Sequence, residues 1–155
     1  MTQLQLALFE PEIPPNTGNI IRLCANCGAK LHLIHPLGFE MSNKHMRRAG
    51  LDYHEWAHVQ EYENFEMFIQ KNTDARVIAC STKASTNYTD VQYTNQDILL
   101  FGPESRGLPQ SIRESLPVQI RIPMRPNSRS LNLSNAAAII CYEAWRQQDF
   151  AMSHA

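Results

Sequence analysis

Three segments of the chain concentrate the polar, small and turn-forming residues from which a binding site is built. The first, Pro14-Pro15-Asn16-Thr17-Gly18-Asn19, runs into a stretch on which Asn19, Arg22 and Asn26 fall at i, i+3 and i+7, hence on one helical face. On spacing alone that face is equally an ordinary solvated stripe. The second, Phe101-Gly102-Pro103-Glu104-Ser105-Arg106-Gly107-Leu108-Pro109, uses two glycines and two prolines to fix an irregular loop whose backbone can approach a ligand closely. Gly-Pro on its own reads as a structural turn, and Glu104 and Arg106 between the glycines make a binding loop as good a reading. The third runs from Ile122 to Asn135 and supplies hydroxyls and amides at the mouth of a helix. Capping that helix needs one side chain, Ser134 or Asn132, and the segment offers several more.

Other chemistries lack their residues. No GxGxxG follows the first apolar segment and no GxxxxGK[ST] occurs, so dinucleotide and P-loop readings have no fingerprint. Cys24-Ala25-Asn26-Cys27 is a single CxxC in apolar surroundings with no second pair to complete a zinc site, and core packing is the better reading. The six histidines show no HExxH or paired ligand spacing, so no metal is expected.

The elements that must position these loops follow from the apolar pattern. Leu4 to Phe9 reads as a strand, and Glu10 to Pro15 as a rigid loop. Asn16 or Thr17 then caps a helix carrying Ile20, Ile21, Leu23, Cys24, Ala25 and Cys27, with Gly28 as its stop. Leu31 to Ile34 reads as a second strand, and Tyr62, Phe65, Phe68 and Ile69 recur at helical spacing. Arg76 to Ser81, Ile98 to Phe101 and Val118 to Ile122 read as further strands, with a short helix between the last two over Leu108 to Leu116. The final element is a helix from about Leu133 to Gln148, whose unbroken apolar run from Ala136 to Tyr142 calls for burial on two sides. Strands alternating with helices at this spacing predict an α/β domain, with a mostly parallel sheet covered by helices on both faces. In such sheets ligands sit beyond the carboxyl ends of the strands, where all three polar segments lie.

The chain has 155 residues, of which 43% are hydrophobic and 19% charged, enough for one core over residues 1–148 with 149–155 as a loose tail. No apolar run reaches the ~20 residues that span a bilayer, and the start of the chain lacks the features of a secretory signal, so a cytoplasmic protein with reduced thiols is expected. The formal net charge is −1, which excludes a molecule that coats nucleic acid through global charge. Basic residues do cluster locally, at Lys44-His45-Met46-Arg47-Arg48 and over Arg121, Arg125 and Arg129.

Taken together and in this order, the three segments resemble the signature motifs of the SPOUT (SpoU–TrmD) RNA methyltransferases: PPNTGNIIRLCANCG at 14–28, FGPESRGLP at 101–109 and IPMRPNSRSLNLSNAAAIICYEAWRQ at 122–147. The stretch Arg47-Arg48-Ala49-Gly50-Leu51-Asp52-Tyr53 is similar to the minimal group that acts on the anticodon loop of tRNA. The resemblance implies a deep C-terminal trefoil knot, which general chain topology would have argued against. It implies S-adenosyl-L-methionine as cofactor, bound at Cys80, Gly102, Ile122, Ser130 and Leu131. Arg22, Ser130 and Asn132 match the positions that handle the substrate ribose and phosphate, and Asn16, Arg47 and Arg48 are expected to meet RNA. The implied reaction is methylation of the ribose 2′-hydroxyl of the wobble nucleotide of tRNA, with a catalytically silent RNA-binding module, or action at another tRNA or rRNA site, as alternatives. The chain has no RNA-binding extension, and its apolar last helix needs a second covering surface, so a homodimer is expected.

Overall fold

The computed structural model describes residues 4–48, 50–52, 55 and 59–153. The strands are β1 (Gln5–Phe9), β2 (Lys30–Ile34), β3 (Gln60–Tyr62), β4 (Arg76–Cys80), β5 (Thr86–Asn87), β6 (Asp97–Phe101) and β7 (Val118–Arg121). The helices are α1 (Pro14–Cys27), α2 (Asn43–Arg48), α3 (Phe65–Lys71), α4 (Gln110–Ser115) and α5 (Leu133–Gln147), with one 3₁₀ turn at Tyr88–Asp90. One sheet runs β3-β2-β1-β6-β4-β7-β5, and every pairing in it is parallel.

Alternate residues of the central strands feed two cores, which is why these strands read as continuous apolar runs. Leu6, Leu8, Leu99 and Phe101 face one side, where α1 and α5 supply Ile20, Ile21, Cys24, Ala137 and Ile140. Ala7, Phe9, Ile98 and Leu100 face the other, against Phe68 of α3 and Leu108 ahead of α4. Helices on both faces are therefore as expected. Phe68 is fully buried, and burying a ring of that size stabilises by about 1.5–3 kcal/mol.

Two local readings are corrected. Helix α1 begins at Pro14 instead of after Asn16 or Thr17: prolines fit a first turn because the amide they lack would have no intrahelical partner. Ile13 is the N-cap residue and offers no side-chain cap, so the cap comes from elsewhere, as described below. Gly28 ends the helix in the left-handed region at φ 74°, with its N–H on the Cys24 carbonyl. Tyr62 is not the first apolar residue of a helix but the last of β3, and α3 starts at Phe65 under an Asn64 cap that accepts from the Met67 N–H at 2.8 Å. The short strands β3 and β5, of 3 and 2 residues, carry no periodicity that a sequence pattern could reveal.

The C-terminal half is threaded. Strand β7 lies between β4 and β5, and Ile120 pairs with Cys80 on one side and Thr86 on the other, so residues 81–85 bridge across it. Ser81 donates its N–H to the Ile120 carbonyl at 2.9 Å within that bridge. The chain leaving β7 then passes through residues 122–132 to carry α5 back onto α1. This is the threading that the family resemblance implies.

Helix α5 buries Ala137, Ile140, Cys141 and Ala144 on its α1 side, and Cys27 Sγ lies 3.3 Å from Cys141 Sγ there. The CxxC cysteines are core residues, and no metal-ligating cluster occurs among the described residues. The opposite face of α5 leaves Ile139 and Tyr142 37% and 40% exposed. Residues after the helix turn back on it: Trp145 Nε1 donates to the Ala151 carbonyl at 2.9 Å, and Phe150 packs edge-on against the Trp145 ring.

Candidate active site

The polar segments converge at the carboxyl ends of β4, β6 and β7. The loop after β6 folds tightly on itself, with Gly107 N–H on the Pro103 carbonyl at 2.9 Å and Gly107 at φ +66°. A Cβ on Gly102 would lie 2.3 Å from Leu108 N and 2.4 Å from the Gly107 carbonyl carbon. Gly102 is thus required by the closure of its own loop, before any ligand approaches.

That loop supplies the missing cap of α1. Glu104 accepts the Glu12 N–H at 2.8 Å, the Ile13 N–H at 2.9 Å and the Asn16 side-chain amide at 3.2 Å. A carboxylate among the orphan N–H groups of a helix start is stabilising through both hydrogen bonds and the helix dipole. Reciprocally, Glu12 accepts the Ser105 N–H at 2.8 Å and its hydroxyl at 2.7 Å, which together hold the Glu12 carboxyl below its ordinary range. Arg106 pairs with Glu10 at 2.7 Å.

The third segment joins through one side chain. Asn132 is the N-cap of α5, its Oδ1 accepting from Ser134 N at 2.9 Å and Asn135 N at 3.4 Å. Its Nδ2 donates to Asn16 Oδ1 at 3.0 Å, while Asn16 Nδ2 donates to Glu104. A single relay, Asn132 to Asn16 to Glu104, therefore ties the three segments together. Asn16 is 5% exposed, so its amide is satisfied by these partners and not by bulk water.

Beside the relay lies an open cleft of about 800 Å³, lined among others by Asn16, Gly102, Ser130, Leu131 and Asn132. A narrower cavity of about 80 Å³ adjoins it, bounded by Cys80, Ile120, Ile122, Met124, Leu131 and Ile140. Burial pushes the Cys80 thiol up, so it serves as a wall and not as a nucleophile. The structure thus brings Cys80, Gly102, Ile122, Ser130, Leu131, Asn132 and Asn16 to one place.

Arg22 and the basic pair are elsewhere. Arg22 does not line the cleft; its Nε donates to Glu55 Oε2 at 3.1 Å, and its Nη2 donates to Glu55 Oε1 at 3.3 Å and to the Gly50 carbonyl. Arg47 and Arg48 are exposed on α2, immediately before this segment. Ala49 and Tyr53 of the same motif lie outside the described residues. Sequence reasoning noticed Glu104 only as part of a loop, and missed Glu55, because pairings over 88 and 33 positions leave no local pattern.

The family model described as the SpoU rRNA Methylase family matches residues 3–142. The chain belongs to the SpoU methylase family. The tRNA (cytidine(34)-2′-O)-methyltransferase of Aeromonas hydrophila subsp. hydrophila is 59% identical to it over 152 residues, covering 97% of both chains. A solved structure from work on the 2-OH methylation of C/U34 on tRNA matches with a TM-score of 0.88 and 42% identity, over 96% of this chain and 97% of that one. The AdoMet-bound rRNA methyltransferase of Sinorhizobium meliloti matches with a TM-score of 0.82 and 28% identity, over 93% of this chain and 56% of that one. The all-parallel sheet with a threaded C-terminal half is the fold of a SpoU-family methylase.

Proposed function

We propose that this SpoU-family chain methylates the ribose 2′-hydroxyl of nucleotide 34 of tRNA, cytidine or uridine, with S-adenosyl-L-methionine as donor. The observation that carries this reading is identity of 59%, over 97% of both chains, with a relative named for that reaction. The residues fit the donor. A planar purine suits an apolar slot such as that between Ile122, Leu131 and Ile140, with Cys80, Gly102 and Ser130 along its rim. The bound donor supplies a methyl on a sulfonium, which leaves a neutral thioether and so needs no acid for the leaving group.

The sulfur–methyl bond breaks as the oxygen–methyl bond forms and the 2′ proton passes to solvent water in the open cleft, so what remains for the protein is to hold the ribose and to favour loss of that proton. Ser130 and Asn132 present a hydroxyl and an amide at the cleft for ribose and phosphate. A guanidinium does not act as a base near neutral pH, so Arg22 serves as an electrostatic clamp on phosphate and on the developing oxyanion. Arg22 and the single-chain cleft are then brought together by a second copy of the chain. The exposed Ile139 and Tyr142 face of α5 gives such a homodimer an apolar surface to bury. Arg47 and Arg48 add local positive charge for the anticodon loop, on a chain whose net charge is −1. No helix among the described residues is long and apolar enough to cross a membrane, and the reaction belongs in the cytoplasm, where tRNA is.

Mass mapping of ribose methylation in tRNA from cells with and without this gene tests the assignment. Loss of the 2′-O-methyl at nucleotide 34 in the deletion, restored by the wild-type gene, is expected; methylation unchanged at that nucleotide overturns it. A silent RNA-binding module with this fold would still need Gly102 for loop closure and Asn132 for the α5 cap, but it would have no need of Arg22 and Ser130, and both are present.

A further inference from the structure

Arg22 is held by a carboxylate that is itself held. Glu55 Oε1 accepts the Asp52 N–H at 2.9 Å, while both of its oxygens receive the Arg22 guanidinium at 3.1 and 3.3 Å. The Asp52 N–H first, and Arg22 after it, keep the Glu55 carboxyl below its ordinary range. The side chains differ in exposure, 18% for Glu55 against 51% for Arg22, so the carboxylate is the anchored partner and the guanidinium the open one. A third acceptor, the Gly50 carbonyl, lies on Nη2. Gly50 sits at φ +78°, at the turn that directly follows α2 and its Arg47 and Arg48.

An exposed ion pair contributes little to stability, so this one is not explained by folding energy. A fork of donors fixed at three points, in contrast, has lost most of its rotamer freedom before it meets anything else. We propose that Glu55 is a positioning residue for Arg22: it fixes the guanidinium in the orientation that meets the RNA, and through Gly50 and Asp52 it ties that orientation to the basic helix α2. The proposal rests on the reading of Arg22 as the clamp. Engagement of α2 by the anticodon loop and placement of the clamp are then one event, because the same short segment carries both.

The test compares wild type, Glu55→Ala, Glu55→Gln, Arg22→Ala and the Arg22→Ala/Glu55→Ala double variant, by single-turnover methylation of tRNA at saturating donor, by tRNA affinity and by melting. Misplacing a reacting group by about 1 Å costs on the order of 10²-fold, so Glu55→Ala is expected to slow methylation between ten- and a hundred-fold. Its tRNA affinity is expected to hold or rise, because a negative charge has been removed from beside a cation, and its melting temperature to stay near wild type. Glu55→Gln keeps an acceptor without the charge and falls between. The double variant is expected to be no slower than Arg22→Ala alone, since Glu55 acts through Arg22. Wild-type rates in both Glu55 variants overturn the proposal, as does a double variant whose loss is the product of the two single losses. Should Glu55→Ala fail to fold, the Gln variant and its double decide the matter. A normal rate in Arg22→Ala defeats the clamp reading itself, whereas an impaired Arg22→Ala beside normal Glu55 variants defeats only this proposal.

Discussion

Asn132 and Asn16, separated by 116 positions, share a side-chain hydrogen bond of 3.0 Å, and Asn132 uses its other amide atom to cap α5. One residue therefore fixes where the last helix starts and locks that start to the first helix. Because Asn16 also donates to Glu104, the amide orientation of each asparagine is dictated by its neighbour along the relay.

The two duties of Asn132 are separable. Asn132→Asp keeps an oxygen for the Ser134 and Asn135 amides but turns an acceptor toward the buried Asn16 Oδ1, so the helix cap should survive while about 1–3 kcal/mol of stability is lost at the relay and methylation falls. Asn132→Ala should lose about 0.5–2 kcal/mol of helix capping as well as activity. Denaturant melts paired with methylation assays check this; equal activity in the Asn132→Asp variant and the wild-type protein would remove the relay from the site.

Gly102→Ala should fail before any cofactor is added. The new Cβ would meet backbone at 2.3 Å, which the loop cannot relieve without moving Gly107 and Leu108. Leu108 is buried, so S-adenosyl-L-methionine affinity and thermal stability should drop together. Calorimetry and melting on the same preparation test it: full affinity with an unchanged melting temperature is the contrary result.

Much of the sheet was legible because its strands are buried on both faces and show as apolar runs, Ile98 to Phe101 most clearly. Helix α5 was legible from its unbroken apolar stretch, with its cap left between Ser134 and Asn132 until the structure places it on Asn132, whereas the start of α1 was misplaced because its cap, Glu104, lies in another segment. The cleft residues were grouped through motif likeness, and no local pattern reveals that Asn16 mediates between Asn132 and Glu104. The threading of β7 between β4 and β5 is a global property that no window of residues encodes.

Acid should weaken the fold in a defined window. Burial first, and the charge of Lys30 second, push the His32 imidazole down to about 4 from 6.5, and the neutral ring donates from Nε2 to Gln5 Oε1 while Nδ1 accepts the Tyr62 hydroxyl. Between those values the unfolded chain binds more protons than the folded one, so stability falls as pH drops from about 6.5 to 4. The loss approaches about 3 kcal/mol below that window. Urea melts across this range should show the decline, and His32→Gln should flatten it; parallel profiles in the two proteins would assign the acid sensitivity to other groups.

Arg47→Ala/Arg48→Ala should weaken tRNA binding and flatten its salt dependence, by about one unit of slope for every phosphate that the two guanidinium groups neutralise. Both side chains are exposed on α2, away from the cleft, so S-adenosyl-L-methionine binding should be untouched. Filter binding over a salt series measures affinity and slope together. An unchanged slope would make the pair solvated surface charge.

The clamp assigned to Arg22 makes the sharpest demand, because it separates charge from geometry. Its guanidinium presents a rigid fork that meets both Glu55 oxygens through two different nitrogens, Nε and Nη2, and the Gly50 carbonyl through Nη2, whereas a lysine would offer one mobile nitrogen and no second donor for the two-point pairing with Glu55. Arg22→Lys should therefore restore charge without restoring rate. Removing a preorganised oxyanion donor costs about 10²–10³ in kcat, and Arg22→Ala should fall in or beyond that range. Since Arg22 lies outside the cleft lined by Gly102, Ser130 and Leu131, S-adenosyl-L-methionine should bind both variants with wild-type affinity. Single-turnover methylation and calorimetry on the same proteins decide the matter. A near-normal rate in Arg22→Ala would end the clamp reading, and loss of cofactor affinity in its place would make Arg22 a support of the fold.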